Sequence, residues 1–371
     1  MQRAFPPFRA DHVGSLLRPK YLKDARARHY AGEISVPQLR EIEDRAIREA
    51  IARQESIGLQ GITDGEFRRA FWHLDFLEHL QGVESYPAGQ SIQFHGGQAR
   101  IKGLKVTAKI QAAGHPGVHP MVEHFRFLKA HVPNHTAKMT IPSPSLLHYR
   151  GGRNAVSESV YPAMEEFYHD LGQAYKKVVS DFGTAGCRYL QLDEVSFTYL
   201  CDSDQRQMLR SRGDRPETLP EIYAGMINAA ISGRTPGMRI TMHLCRGNFK
   251  SMWIAAGGYE PVADILFNKI NSDGYFMEWD TDRAGGFEPL RLVPKNKQVV
   301  LGIVTSKSGT LEDKDDLKRR LEEAGKFIDP DQLCLSPQCG FASSEEGNLL
   351  TEDEQWAKLR RIVEVAHEVW G

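Results

Sequence analysis

Short apolar runs alternate with longer segments of helical period along this chain. That alternation limits the fold more than any single motif does. The runs Asp11–Ser15, Gly61–Asp64, Ala137–Ile141, Arg188–Leu192, Met238–Cys245, Gly274–Glu278, Gln298–Val304 and Gln332–Ser336 read as strands. Between and after them, Pro37–Ile57, Tyr161–Phe182, Leu219–Ile231, Glu260–Asn268, Leu311–Ala324 and Glu352–Val369 read as helices. In Pro37–Ile57, for example, Leu39, Ile42, Ala46, Ile47, Ala50 and Ile51 form one apolar stripe. Eight strands alternating with helices predict an α/β fold, a (β/α)8 TIM barrel forming one catalytic domain over 1–371. A doubly wound open sheet is the competing architecture. No GxGxxG follows an early strand and no P-loop occurs, so its nucleotide-binding version loses support.

One stretch interrupts the alternation. Residues 82–117 are rich in glycine, and within them Ser91–His95 and Lys105–Ile110 alternate apolar and polar residues as hairpin strands do. The expectation is a β-hairpin insertion after the second strand, not a separate domain.

Bulk composition narrows the function. Of the 371 residues, 41% are hydrophobic and 26% charged, and the net charge is -1, which suits a soluble globular protein and points to neither nucleic acid nor an anionic membrane as partner. The N-terminus lacks the apolar core of a signal peptide, and no apolar run is long enough to span a bilayer. Five cysteines make no disulfide framework, and the expected compartment is the reducing cytoplasm. A homo-oligomer is compatible with the sequence but not called for by it.

In a parallel barrel the C-terminal ends of the strands carry the chemistry. Those ends are Val13-Gly14-Ser15, Thr63-Asp64-Gly65-Glu66, Gln191-Leu192-Asp193-Glu194, His243-Leu244-Cys245, Met277-Glu278-Trp279-Asp280 and Gln338-Cys339. Side chains two apart on a strand share a face, so His243 and Cys245 point together. Alone, an HxC pair is more often a packed cysteine beside a satisfied histidine than a metal site. With Glu278 and Cys339 it becomes a set of two thiols, an imidazole and a carboxylate, the donor types of a tetrahedral zinc site. Such an ion ionises a substrate thiol at neutral pH, and the thiolate is the nucleophile. Glu278, the hardest of the four donors, is the one expected to yield to substrate sulfur. Cys187, Cys201 and Cys334 read as structural.

Glu66 and Asp193 are placed to face a cationic amine, and the turn at Gly14-Ser15 offers N–H groups to a carboxylate. The plainer readings are a helix cap at Asp64 or Glu66 and a loop start at Asp193-Glu194. Arg68, Arg69 and Arg246 read as anion binders or solvated side chains. Phe67, Phe71, Trp72 and Phe76 read as core, and Trp279 as a wall of the site. His12 and His148 read as satisfied polar residues, with substrate contact the alternative.

These residues resemble the catalytic barrel of cobalamin-independent methionine synthase, and most closely its single-barrel relatives. The resemblance rests on Val13-Gly14-Ser15, Asp64-Gly65-Glu66, Leu190-Gln191-Leu192-Asp193-Glu194, His243-Leu244-Cys245, Glu278 and Pro337-Gln338-Cys339-Gly340, which follow the family's order over essentially the whole chain. It implies zinc at His243, Cys245, Glu278 and Cys339, and homocysteine held by Val13, Gly14, Ser15, Glu66 and Asp193. It further implies transfer of a methyl group from 5-methyltetrahydrofolate or its polyglutamate to homocysteine. The sequence departs from the family in having one barrel instead of two, and in reading Asp193-Glu194-Val195 where the family has Asp-Glu-Pro. Lys307 falls near the place of the family's proton-donating histidine, so Lys307 and Glu194 are the candidates for acid catalysis. Two other readings stand: a zinc-dependent thiol alkyltransferase with another donor or thiol, such as an epoxide and coenzyme M, and a non-catalytic zinc- or thiol-binding barrel.

Overall fold

Seven parallel strands form a curled sheet, consistent with a TIM-like barrel, in the computed structural model of the protein. The structure describes residues 3–87, 91–113 and 117–371. The strands of the curled sheet are β1 (Gly61–Ile62), β6 (Thr136–Pro142), β7 (Tyr189–Glu194), β8 (Arg239–Leu244), β9 (Gly274–Glu278), β10 (Gln298–Val304) and β11 (Leu333–Pro337), neighbours in that order. They are buried along nearly their whole length, as parallel strands covered by helices must be. The connecting helices include Val36–Ser56, Met164–Thr184, Leu219–Ile231, Lys314–Ala324 and Glu352–Trp370.

The expected first strand, Asp11–Ser15, is not a strand. Ala10 makes a single parallel bridge to Leu335, and the Asp11 N–H donates to the Leu335 carbonyl at 3.0 Å. Beyond that point side chains replace the ladder. The Asp11 carboxylate accepts from the N–H groups of Phe8 and His12, and the Thr63 hydroxyl donates to the Gly14 carbonyl at 2.6 Å. Gly14 has φ 141°, and a Cβ there would stand 2.7 Å from the Thr140 methyl. The segment still fills the gap between β11 and β1, because His12 Nε2 lies 3.1 Å from the Gly61 carbonyl and the Leu16 N–H donates to Gly65. Likewise β1 stops at Ile62, two residues before the expected end at Asp64, because the chain turns through Gly65 and Glu66 at φ 65° and 60°.

Two antiparallel ribbons follow Leu80. β2 (Gln81–Tyr86) pairs with β5 (Gly103–Gln111), and β3 (Ile92–Phe94) pairs with β4 (Gly97–Ala99). The two alternating runs of the sequence therefore sit in different ribbons and do not pair with each other. Residues 88–90 and 114–116 of the 82–117 excursion lie outside the described residues. Helices Lys20–Tyr30, Pro120–Ala130 and Ser203–Ser211 were not among the expected ones, and the expected Glu260–Asn268 helix changes to a wider π turn over Ile265–Lys269.

Alternation along the strands builds two levels inside the curl. At the lower level Phe8, Tyr189, Phe276, Val300 and Cys334 pack together, with Val13 reaching from them to the level above. The buried Lys138 ammonium lies 4.0 Å from the Phe276 ring centroid and pairs with Asp11 at 3.2 Å. Four residues beyond Tyr189 stands Asp193, two beyond Phe276 stands Glu278, and His243 stands on the strand between them; these are polar side chains of the upper level.

Candidate metal centre and its pocket

Three strand ends deliver four ligand atoms to one point. His243 is the penultimate residue of β8 and Cys245 follows its end, Glu278 ends β9, and Cys339 lies two residues past β11. One donor atom from each of the four lies within 4.8 Å of the others, and all four residues are buried. The Cys245 and Cys339 sulfurs are 3.4 Å apart and unbridged. Two thiolates on one tetrahedral zinc ion stand about 3.8 Å apart for bonds of about 2.3 Å, so the spacing fits an ion with little adjustment. The His243 ring is the plainest sign of a missing partner. Both its nitrogens are buried without a hydrogen bond, a costly state for an imidazole unless a ligand completes it.

The charges agree with that reading. The neighbouring Cys245 thiol and then His243 hold the Cys339 thiol well below its ordinary range, while Cys245, donating to Cys339 and buried, is pushed up. Burial opposes protonation of His243, but Cys339, Asp193 and Glu278 outweigh it and leave its pKa raised. Burial also raises Glu278, with Lys307 opposing. Four groups that shift one another's protons share one small space, as donors to a single cation do.

Beside the ligands lies a narrow cavity of about 20 Å³, lined by Val13, Ser15, Glu66, Trp72, Asp193, His243, Cys245, Cys339, Gly340 and Ser343. Glu66 holds a left-handed φ of 60°, a strained state for a side-chain-bearing residue. Three contacts fix it. Asp64 caps its N–H at 2.9 Å, Thr140 donates to Oε1 at 2.7 Å, and Arg69 stands 3.4 Å from the same oxygen. The Arg18 guanidinium ties down the carbonyls of Glu66, Arg69, Ala342 and Ser344, joining this turn to the loop after Cys339. Glu66 Oε2 remains buried with no partner. Asp193 takes a hydrogen bond from Gln191 at 2.7 Å and is register partner of His243. Burial first, then Glu66, raises its pKa to about 7. Two buried acids that cannot comfortably both ionise favour a cationic visitor between them.

Among the expected site residues, Val13, Ser15, Glu66, Asp193, His243, Cys245 and Cys339 line this cavity, and Glu278 stands in the ligand cluster behind it. Gly14 lies between the lining residues Val13 and Ser15, and a Cβ there would stand 3.8 Å from Glu66 Oε1. Lys307 is half-buried near the ligands, its Nζ 3.3 Å from the Gly247 carbonyl and from Asn248 Oδ1. Glu194 is not in the cavity: Ser145 donates to one oxygen, and the Ser196 and Phe197 N–H groups to the other.

Other readings need correction. Trp279 does not line the site; it is buried between Tyr259 and Phe287, with Nε1 donating to Gly286. Trp72, read as core, lines the cavity instead. His12 and His148 need none: they are satisfied polar residues as read, held away from the cavity by Gly61 and by Tyr168 and Tyr223. Arg68 pairs with Glu43 and Asp44, and the buried Arg246 lies over the Tyr259 ring at 4.5 Å. Thr140 and Ser343 escaped the sequence reading, and Gln191 and Gly340 entered it only as members of motifs, without a role. Gln191 could have been found by alternation from Asp193; the others carry no signal of their own.

The space continues outward. Trp72, Cys245 and Ser343 also border a second narrow cavity that includes His73, Ile92, Ile101 and Arg150. Those last four in turn border a third, of about 330 Å³, beneath the ribbons.

Known proteins match both the sequence and this architecture. The family model described as cobalamin-independent synthase, catalytic domain, matches residues 153–368. The uncharacterised protein YxjH of Bacillus subtilis is 50% identical over 98% of this chain and 95% of its own. A methionine synthase of Sulfurisphaera tokodaii is 24% identical, covering 89% of this chain and 84% of its own. The crystal structure of a candidate vitamin-B12-independent methionine synthase from Listeria monocytogenes superposes with TM-score 0.80 at 42% identity, over 100% of both chains. A B12-independent methionine synthase from Shewanella sp. W3-18-1 shares the fold, with TM-score 0.71 at 19% identity over 98% of this chain and 97% of that one. No helix among the described residues is long and apolar enough to cross a membrane. The chain belongs to the cobalamin-independent methionine synthase family and is a methyltransferase of that family.

Proposed function

We propose that this protein methylates the sulfur of homocysteine at a zinc centre formed by His243, Cys245, Glu278 and Cys339. The observation that carries this is the pairing of that ligand cluster with a cavity whose other wall holds two buried acids, Glu66 and Asp193. Zinc bound there supplies the positive charge that keeps a thiol ionised at neutral pH.

The remaining work falls to the protein. Glu66 Oε2 and Asp193 take the substrate ammonium, and Ser15 with the turn at Gly14 takes its carboxylate. Val13 and Trp72 cover the methylene chain and exclude water, so the sulfur is left facing Cys245 and Cys339. The reaction forms a carbon–sulfur bond and breaks the bond between the methyl carbon and the donor nitrogen, which then gains a proton. We assign 5-methyltetrahydrofolate or its polyglutamate as the donor, entering by way of the cavity bordered by Arg150. Holding both reactants in line supplies much of the rate. Glu194 has no oxygen free to serve as acid, which leaves Lys307 as the candidate proton source. The two acids also favour an amino-acid thiol over coenzyme M, which lacks the amine.

The domain is one (β/α)8 barrel over 1–371, closed by the segment Ala10–Leu16 in the place of its first strand. Residues 82–117 are its β insertion, and the reducing cytoplasm its compartment. The experiment is a donor screen with homocysteine, read as methionine formed by the zinc-loaded protein. Methionine with a folate donor supports the reading. Turnover only with another donor moves the chain to the wider thiol alkyltransferases. Thiol binding with no turnover for any donor makes it a binding protein.

A further inference from the structure

The Glu278 carboxylate is engaged on both oxygens before any ligand is considered. Its Oε1 accepts from the Arg246 N–H at 2.7 Å, and its Oε2 accepts from Arg283 Nη2 at 3.1 Å. The second contact is unusual in how it is supported. Arg283 also donates to Asp280 at 2.7 Å and to the Thr281 hydroxyl at 2.7 Å, and the Gly257 N–H holds its carbonyl at 2.8 Å. The guanidinium leans towards the Trp253 ring at 5.7 Å, and Trp253 stacks on His95 of the ribbon turn at 3.8 Å. Arg283 is thus clamped from several sides. Yet its Nε, and Oδ2 of Asp280, are buried with no partner.

A guanidinium presents its donors as a fork matched to a carboxylate. Here the fork is half used. Nη2 is shared between Glu278 at 3.1 Å and Asp280 at 2.7 Å, and the Nε donor beside it is spare. A small rotation of Glu278 away from the other three ligands would let it take the fork more fully. That is the motion needed if a thiol is to enter the ligand set. A third thiolate beside two thiolates and a carboxylate raises the local negative charge. Moving the carboxylate onto a cationic side chain offsets it.

We propose that Arg283, braced by Asp280 and Thr281, receives the Glu278 carboxylate when a substrate thiol takes its place, and so makes Glu278 the exchangeable ligand. Arg283 is a positioning residue: it touches neither substrate nor reacting atoms and acts through Glu278. The proposal rests on the metal–thiol reading above.

The test measures two affinities on the metal-loaded full chain: zinc, by competition with a chelator, and homocysteine, by calorimetry. Arg283→Gln is expected to keep its zinc at least as tightly as the parent and to bind homocysteine about tenfold more weakly. Arg283→Lys, which keeps the charge without the fork, is expected to recover part of that loss. In a Glu278→Ala background, Arg283→Gln is expected to change homocysteine affinity no further. The proposal is overturned if Arg283→Gln leaves homocysteine binding unchanged, if it weakens zinc as much as homocysteine, or if its effect persists without Glu278. Should Arg283→Gln fail to fold, the Arg283→Lys protein carries the same comparison at smaller amplitude. A parent protein that takes up no zinc, or zinc but no homocysteine, overturns the metal–thiol reading itself and the proposal with it.

Discussion

Two levels inside the curled sheet bury charge in opposite ways. At the lower level, Lys138 and Asp11 are buried together and satisfied. The Asp11 oxygens accept from Lys138, the Tyr189 hydroxyl and the N–H groups of Phe8 and His12. At the upper level, both His243 nitrogens and Glu66 Oε2 are buried with no partner. A protein leaves such groups unpaired at a cost of about 1–3 kcal/mol each. The lower level is a finished structure, whereas the upper one leaves polar groups for a ligand to complete. The difference separates what holds the fold from what uses it.

Four experiments break or sharpen this contrast. The largest effect belongs to the ligands: Cys245→Ser or Cys339→Ser should lose stoichiometric zinc and all methyl transfer while staying folded, as measured by metal analysis and circular dichroism. Full zinc in both variants would remove the centre. Next, Lys138→Met leaves the buried Asp11 carboxylate without its counter-charge, and denaturant titration should show a loss of about 3–5 kcal/mol. A similar loss from Glu66→Gln would erase the distinction between the levels. Glu66→Gln is instead expected to weaken homocysteine about ten- to a hundredfold, with less effect on a thiol lacking the amine. Equal losses for both thiols would contradict an amine-binding Glu66.

A separate effect, spread over the fold and not the site, is on pH dependence. Burial pushes His12, His119 and His148 down to about 4 from 6.5. They are neutral in the folded protein, and the unfolded chain binds more protons below pH 6.5. Their contribution is therefore complete above pH 6.5 and is lost as pH falls towards 4, by up to about 1.4 kcal/mol per pH unit for each. Stability flat from pH 7 to 4.5 would contradict this.

The strand ends were legible in the sequence because alternation alone puts His243 with Cys245, and because β9 ends on Glu278. What escaped depended on contacts far along the chain. Asp11–Ser15 has the composition of a strand, but the Gly14 geometry and the Thr63 hydroxyl take its carbonyl out of the ladder. Trp72 belongs to an aromatic run in which nothing local separates the cavity wall from core. The ribbon partners were hidden because alternation identifies a strand and not its neighbour. Helix Lys20–Tyr30 begins after Pro19 with no side-chain cap and a mostly polar sequence, so it carries little signal. The support of Glu278 by Arg283 is invisible without the turn at Asp282–Ala284.

X-ray absorption at the metal edge, on the zinc-loaded protein with and without homocysteine, tests the central claim most directly. Four protein donors, two of them sulfur, are predicted without substrate, and a third sulfur with loss of the Glu278 oxygen when homocysteine binds. A sulfur count that does not change on saturation with homocysteine would contradict a thiol-activating centre at His243, Cys245, Glu278 and Cys339.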